Sequence, residues 1–208
     1  MVMIVNETLY WIIFAIPSIL IASTIHEYAH GLAAFKMGDP TAKAAGRLTL
    51  NPLPHIDPIG ALCMVLFRFG WSKPVPINEY NFEKRELGTA ITALAGPISN
   101  ILVASLLALI NYIFTPDLNS IIGSFLLTFT IINLALAFFN LLPIPPLDGH
   151  KIVRAILPKG MRYHWENLEK FSIILLVILI FPITASGSIA GVYISTMITE
   201  SLILLGFL

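Results

Sequence analysis

Long apolar runs, parted by short polar and basic segments, dominate the chain. Five of them are candidates to cross a bilayer: about residues 9–35, 89–114, 121–142, 168–184 and 189–208. A crossing helix needs roughly 20 apolar residues, and the fourth run barely reaches that length. Ser186-Gly187-Ser188 parts the last two runs, so about residues 165–208 read as a C-terminal helical hairpin. The pattern predicts one domain over residues 1–208, an all-α polytopic membrane protein with about five transmembrane helices.

Residues 38–82 break this pattern. They are rich in Pro and Gly and hold two β-prone pieces, Arg47-Leu48-Thr49-Leu50 and residues 61–69. The second piece is too short to cross as a helix and too apolar to be fully solvated. The expectation is a re-entrant or interfacial β-hairpin, because non-helical backbone at membrane depth is tolerated where protein or a wet cavity covers it.

Composition supports the membrane reading. Hydrophobic residues make up 57% of the 208 and charged residues only 12%, against about 25% charged in soluble domains. The net charge is zero and no basic run is interleaved with aromatics, so nucleic acid is not an expected partner. The single cysteine, Cys63, rules out an intrachain disulfide and a Cys-based metal site; it reads as a small apolar residue. The first residues lack a basic signal-peptide region, so the first run is expected to be retained.

All twelve Lys and Arg residues fall between the first and second runs or between the third and the opening residues of the fourth, where Lys170 lies. By the positive-inside rule both segments face the cytoplasm. An odd number of spans then puts the N-terminus outside and the C-terminus inside.

The chemistry lies in the second half of the first run, at His26-Glu27-Tyr28-Ala29-His30. Imidazoles four residues apart share one helix face and can hold one metal together. The glutamate between them is the usual general base for such a metal. Three ionisable groups in one apolar span point to function, since each is costly in a membrane. A catalytic zinc usually takes three protein ligands. The best third candidate is Asp148, in Asn140-Leu-Leu-Pro143-Ile-Pro145-Pro146-Leu-Asp148-Gly149, which closes the third span at the same expected depth. Two classes of function fit this cluster, an intramembrane zinc hydrolase and a metal or proton transporter. Two similar halves with interrupted helices, the mark of a secondary transporter, are not seen. The intact Glu27 disfavours a third reading, a non-catalytic binding relative.

Taken together the motifs resemble the site-2 protease family of intramembrane zinc metalloproteases. The resemblance rests on His26-Glu27-x-x-His30, on Gly96-Pro97-Ile-Ser-Asn100 in a second helix, and on the Asn140 to Gly149 run. Leu50-Asn51-Pro52-x-x-His55-x-Asp57-Pro58-x-Gly60 and Trp71-Ser-Lys73-Pro74-Val-Pro76 resemble its compact prokaryotic branch, without PDZ or CBS domains. The resemblance covers roughly residues 20–155. It implies one Zn2+ per chain on His26, His30 and Asp148, Glu27 as base, and Asn140 on the oxyanion or substrate backbone. It further implies membrane-spanning protein substrates, a prokaryotic plasma-membrane location and an active site towards the cytoplasm. An exposed strand within residues 47–69 is expected to hold the unwound substrate.

Other polar residues carry two readings each. His55 and Asp57 form either a second metal site or a turn around Pro54 and Pro58. His150 sits either beside the site or at a helix start, and His164 fits an amphipathic interfacial helix. Asn100 bonds across helices or lines the cavity, Asn133 reads as packing, and Glu200 needs a buried partner or a place near a helix end. Neither the substrate nor the oligomeric state can be read from the residues.

Overall fold

A computed structural model describes residues 7–68, 70–182 and 187–208. Among them regular structure is helical, and Ile56 and Ser72 form an isolated antiparallel bridge. Three helical stretches, Trp11–Lys36, Arg85–Phe114 and Ile121–Asn140, are long and apolar enough to cross a bilayer. The first contains α1 (Ile16–Lys36), entered through a π-helical turn at Trp11–Ala15. Pro17 cannot donate the usual helical bond, and the wider turn just before it accommodates that loss.

The chain continues with α2 (Pro58–Phe67), α3 (Arg85–Phe114), α4 (Ile121–Asn140), α5 (Asp148–Ile156) and α6 (Lys159–Glu166). It closes with α7 (Ser172–Ile180) and α8 (Ile189–Leu204). Helices α1, α3 and α4 pack through small side chains, with Ala22, Ala34, Ala104 and Ala137 wholly buried. Small residues let apolar helices approach closely where no hydrophobic force separates inside from lipid. Large exposed side chains such as Leu102, Leu106 and Ile121 face outward, as a lipid-facing surface requires.

The structure differs from the expected β-hairpin. Residues 61–67 belong to α2, and Arg47 to Leu50 form no strand; Phe69 lies outside the described residues. The reason is a start signal that overrides β propensity. Asp57 caps α2 by accepting from the amides of Ile59 (3.0 Å) and Gly60 (2.8 Å), and Pro58 occupies the first turn. The excursion goes out as a helix and returns as extended chain, pinned by Lys73 N–H to the His55 carbonyl at 2.8 Å.

The last two expected spans also differ. Helix α7 has nine residues, and even with the five-residue 3-10 segment Asn167–Phe171 that leads into it the stretch is short of the roughly 20 residues a span needs. Pro182 follows it and holds Phe181 extended (φ −71°, ψ 139°). Ala190 and Ile194 at the start of α8 pack with Leu179, Leu147 and Phe139, beside the end of α4. Leu202 and Phe207 join Leu126 of α4 and Ala108 of α3 at the other end. Helix α8 therefore runs antiparallel to α4, whereas a five-span topology makes the two parallel. Residues 1–6, which precede the first expected run, and 183–186, which include the end of the fourth, lie outside the described residues.

Candidate metal centre

Four elements bring polar groups to one place between the long helices. His26 and His30 sit one turn apart on α1, both buried. Their Nε2 atoms lie 2.9 Å apart. Asp148, the first residue of α5, places Oδ2 3.2 Å from His26 Nε2 and 3.1 Å from His30 Nε2. The turn through Pro143, Pro145 and Pro146 ends α4 and feeds α5 back towards α1. Gly149 makes this return possible, since a Cβ there would collide with the carbonyls of Leu141 and Leu142. His150 holds α5 from behind. Its ring stacks on Trp165 at 5.2 Å, and Trp165 Nε1 donates to its carbonyl at 3.0 Å.

The other ring nitrogens reveal what the centre wants. His26 Nδ1 lies 2.6 Å from Asn100 Oδ1, and His30 Nδ1 lies 2.6 Å from the Thr92 carbonyl. The Asn100 amide is oriented by its far side, where Nδ2 donates to the carbonyl of Ala22 (3.2 Å) and to Asn133 Oδ1 (2.9 Å). Both acceptors facing the imidazoles are oxygens that cannot donate, so each Nδ1 carries the hydrogen. In neutral rings both Nε2 atoms then present lone pairs to each other and to a carboxylate oxygen. That arrangement repels itself unless a cation sits among the three, and fixing the tautomer through Nδ1 is how metal-ligating histidines are held. Gly96 completes the cradle: a Cβ there would lie 2.6 Å from His26 Nε2 and closer still to His30. Among the described residues this is the one His, Cys, Asp and Glu cluster able to hold a metal.

Glu27 is held from a different quarter. Its Oε2 accepts from the Val75 amide at 2.8 Å and its Oε1 from Ser72 Oγ at 3.2 Å. A cavity of about 220 Å³ opens onto His26, Glu27, His30, Asn140, Asp148 and Val75. Asn140, half-buried in its wall, donates from Nδ2 to the Leu136 carbonyl at 2.9 Å. The linker residues at the cavity are Pro74, Val75 and Ile77, in irregular chain after α2, rather than residues 47–69.

All five sequence-derived site residues thus line one cavity, while the other polar candidates take separate places. Asn100 lies behind His26, crossing from α3 to α4. Asn133 is more than packing: it also donates from Nδ2 to the Phe129 carbonyl at 2.8 Å and so buttresses Asn100. A buried amide in an apolar helix was the available signal. Asp57 is a helix cap, and His55 joins Arg47 and Thr49 rather than the metal trio. His164 and Glu200 are exposed. Ser72 and Val75 lie in the Trp71 to Pro76 motif, but their bonds to Glu27, like that of the Thr92 carbonyl to His30, escape sequence reading, because two of the three groups are backbone and serine is common in loops.

Peptidase family M50 matches residues 113–185. A relative named "Putative zinc metalloprotease YwhC", from Bacillus subtilis (strain 168), is 35% identical over 84% of this chain and 82% of its own length. The chain belongs to this zinc metalloprotease family. Relatives include "Putative zinc metalloprotease Rip2" of Mycolicibacterium smegmatis, 28% identical over 82% of this chain and 68% of that protein. "Zinc metalloprotease MJ0392" of Methanocaldococcus jannaschii is 26% identical over 77% of this chain and 39% of that protein. No solved structure matches. As an M50 peptidase the chain is a zinc-dependent hydrolase, which decides against the transporter reading.

Proposed function

We propose that this M50 peptidase hydrolyses peptide bonds in or near membrane-spanning segments of protein substrates, with zinc on His26, His30 and Asp148. One observation carries the assignment: two imidazole nitrogens, each with its partner nitrogen committed to an oxygen acceptor, converge with a carboxylate oxygen within 3.2 Å. Bound zinc supplies Lewis acidity for the attacking water and the scissile carbonyl. Glu27, beside the metal ligands and open to the cavity, takes the proton from that water and returns it to the leaving nitrogen. Asn140 donates its remaining amide hydrogen to the substrate backbone or the developing oxyanion. Asn100 and the Thr92 carbonyl keep the ligand rings in register. Lipid-facing helices around the site keep bulk water out except through the cavity.

The basic segments on either side of α3 and α4 favour a cytoplasmic orientation for this end of the helices and of the site, and the bacterial and archaeal relatives support a prokaryotic plasma-membrane location. The helical scissile stretch of a substrate must unwind before its carbonyl is accessible. The test is a Glu27→Gln variant reconstituted with a membrane-embedded substrate. It should keep one zinc per chain and lose cleavage, and full cleavage by that variant would sink the assignment.

A further inference from the structure

The proposed base is fixed by the linker, and the piece of linker that fixes it is itself clamped. Lys73 lies between Ser72 and Val75, the two residues that hydrogen-bond Glu27. Its N–H donates to the His55 carbonyl at 2.8 Å, and its carbonyl accepts from Arg47 Nη2 at 2.7 Å. Arg47 clamps with its side chain and His55 with its backbone carbonyl, and the two side chains are tied to each other. Arg47 Nη2 donates to His55 Nδ1 at 3.4 Å, while His55 Nε2 donates to the Thr49 carbonyl at 2.9 Å. The imidazole thus accepts on one nitrogen and donates on the other, which fixes its tautomer.

Both residues are buried, Arg47 to 8% exposure and His55 to 2%. A guanidinium and an imidazole are costly to bury in a Pro- and Gly-rich linker unless their position matters. Neither lines the cavity. Their reach into it runs only through the Lys73 peptide.

We propose that Arg47 and His55 are positioning residues for proteolysis: by gripping both sides of the Lys73 peptide they set Ser72 Oγ and the Val75 N–H, and through these the Glu27 carboxylate. The proposal rests on Glu27 acting as the base. It gives a role to the His55 motif that is distinct from metal binding, and it links the α2 excursion to the rate of the chemical step rather than to zinc affinity.

The test uses the full-length, zinc-loaded enzyme in bilayers with a membrane-embedded substrate, and the metal-free enzyme for amide exchange. His55→Ala keeps the backbone carbonyl that accepts from Lys73 N–H but unties Arg47 and the segment from Thr49, and should lower kcat about tenfold, the equivalent of a lost hydrogen bond of orientation, with KM within about twofold. Zinc should remain at one per chain. Exchange of the Val75 amide in metal-free protein should speed up about tenfold, as it should in Glu27→Ala. His55→Gln can accept from Arg47 and donate to the Thr49 carbonyl, and should restore most of kcat and of the amide protection. If His55→Ala does not fold, Arg47→Lys carries the same test, because it keeps the charge but replaces the guanidinium nitrogen that reaches both the Lys73 carbonyl and His55.

Wild-type kcat with wild-type Val75 protection overturns the clamp, as does a loss that appears only in KM or only through lost zinc. A Glu27→Gln enzyme that still cleaves overturns the base assignment whatever His55 does. An inactive Glu27→Gln beside a fully active His55→Ala overturns the clamp alone.

Discussion

The two imidazoles and the glutamate between them sit on one helix turn, yet opposite kinds of structure hold them. His26 and His30 are locked by other membrane helices, through the Asn100–Asn133 relay and the Thr92 carbonyl. Glu27 is steadied by the return leg of a surface linker, through Ser72 and Val75. Helices packed on alanines have little freedom to move apart, so the ligand set is as rigid as the bundle. The return leg of the linker is Pro-containing chain tied by a few hydrogen bonds, and the orientation of the proposed base depends on those bonds. On the proposed assignment, metal affinity and catalytic rate rest on separate regions and should respond to different substitutions.

The largest effect should come from Glu27→Gln, with kcat reduced about 10²- to 10⁴-fold as for loss of a general base, and zinc content by metal analysis unchanged. On the helix-held side, Asn100→Ala should weaken zinc binding about 10- to 100-fold in a chelator competition. It also strands Asn133 Oδ1, so thermal unfolding should drop with it. Gly96→Ala should act on the same side, because its methyl group enters the space of the two rings. Zinc affinity should fall in that variant, and unchanged affinity would show the helix-held region to be less rigid than argued. On the linker side, Ser72→Ala removes one of two bonds to Glu27, so kcat should drop only a few-fold, the equivalent of about 1 kcal/mol. Zinc affinity should not change, and a drop there would erase the distinction between the regions.

The smallest effect concerns how the linker is closed. Asp39, just past α1, accepts from the Asn78 amide and from Asn81 Nδ2, each at 2.7 Å, and from the amide and hydroxyl of Thr41. Burial pushes its carboxyl up, but hydrogen bonds from Thr41, Asn81 and Asn78 outweigh this and hold it below the ordinary value. A lowered folded pKa stabilises the protein above the unfolded value and loses that stabilisation as pH falls through the folded one. Wild type should therefore unfold later than Asp39→Asn at neutral pH, and the gap should close below about pH 4. A gap independent of pH would mean that the carboxylate charge is not what closes the linker.

Much of the site was legible because it lies on a period. The spacing of His26 and His30 is a property of any helix, and Asp148 followed from the end of an apolar run at matching depth. The linker was misread because a ten-residue apolar piece does not reveal its period, although Asp57-Pro58 is a helix-start signal. Residues 168–184 were long and apolar enough to suggest a span, while Pro182 was the mark that α7 stops short.

By itself the sequence determined a helical membrane protein with a two-histidine, one-glutamate turn and a carboxylate able to join it, because composition and helical repeat are local. Tertiary structure alone decided that Asn133 backs Asn100, that Val75 and Ser72 steady Glu27, and that α8 runs against α4. Those relations depend on which small-residue faces meet and on backbone N–H and C=O groups. Nearly every residue carries such groups, so nothing in the order of side chains says where they will point.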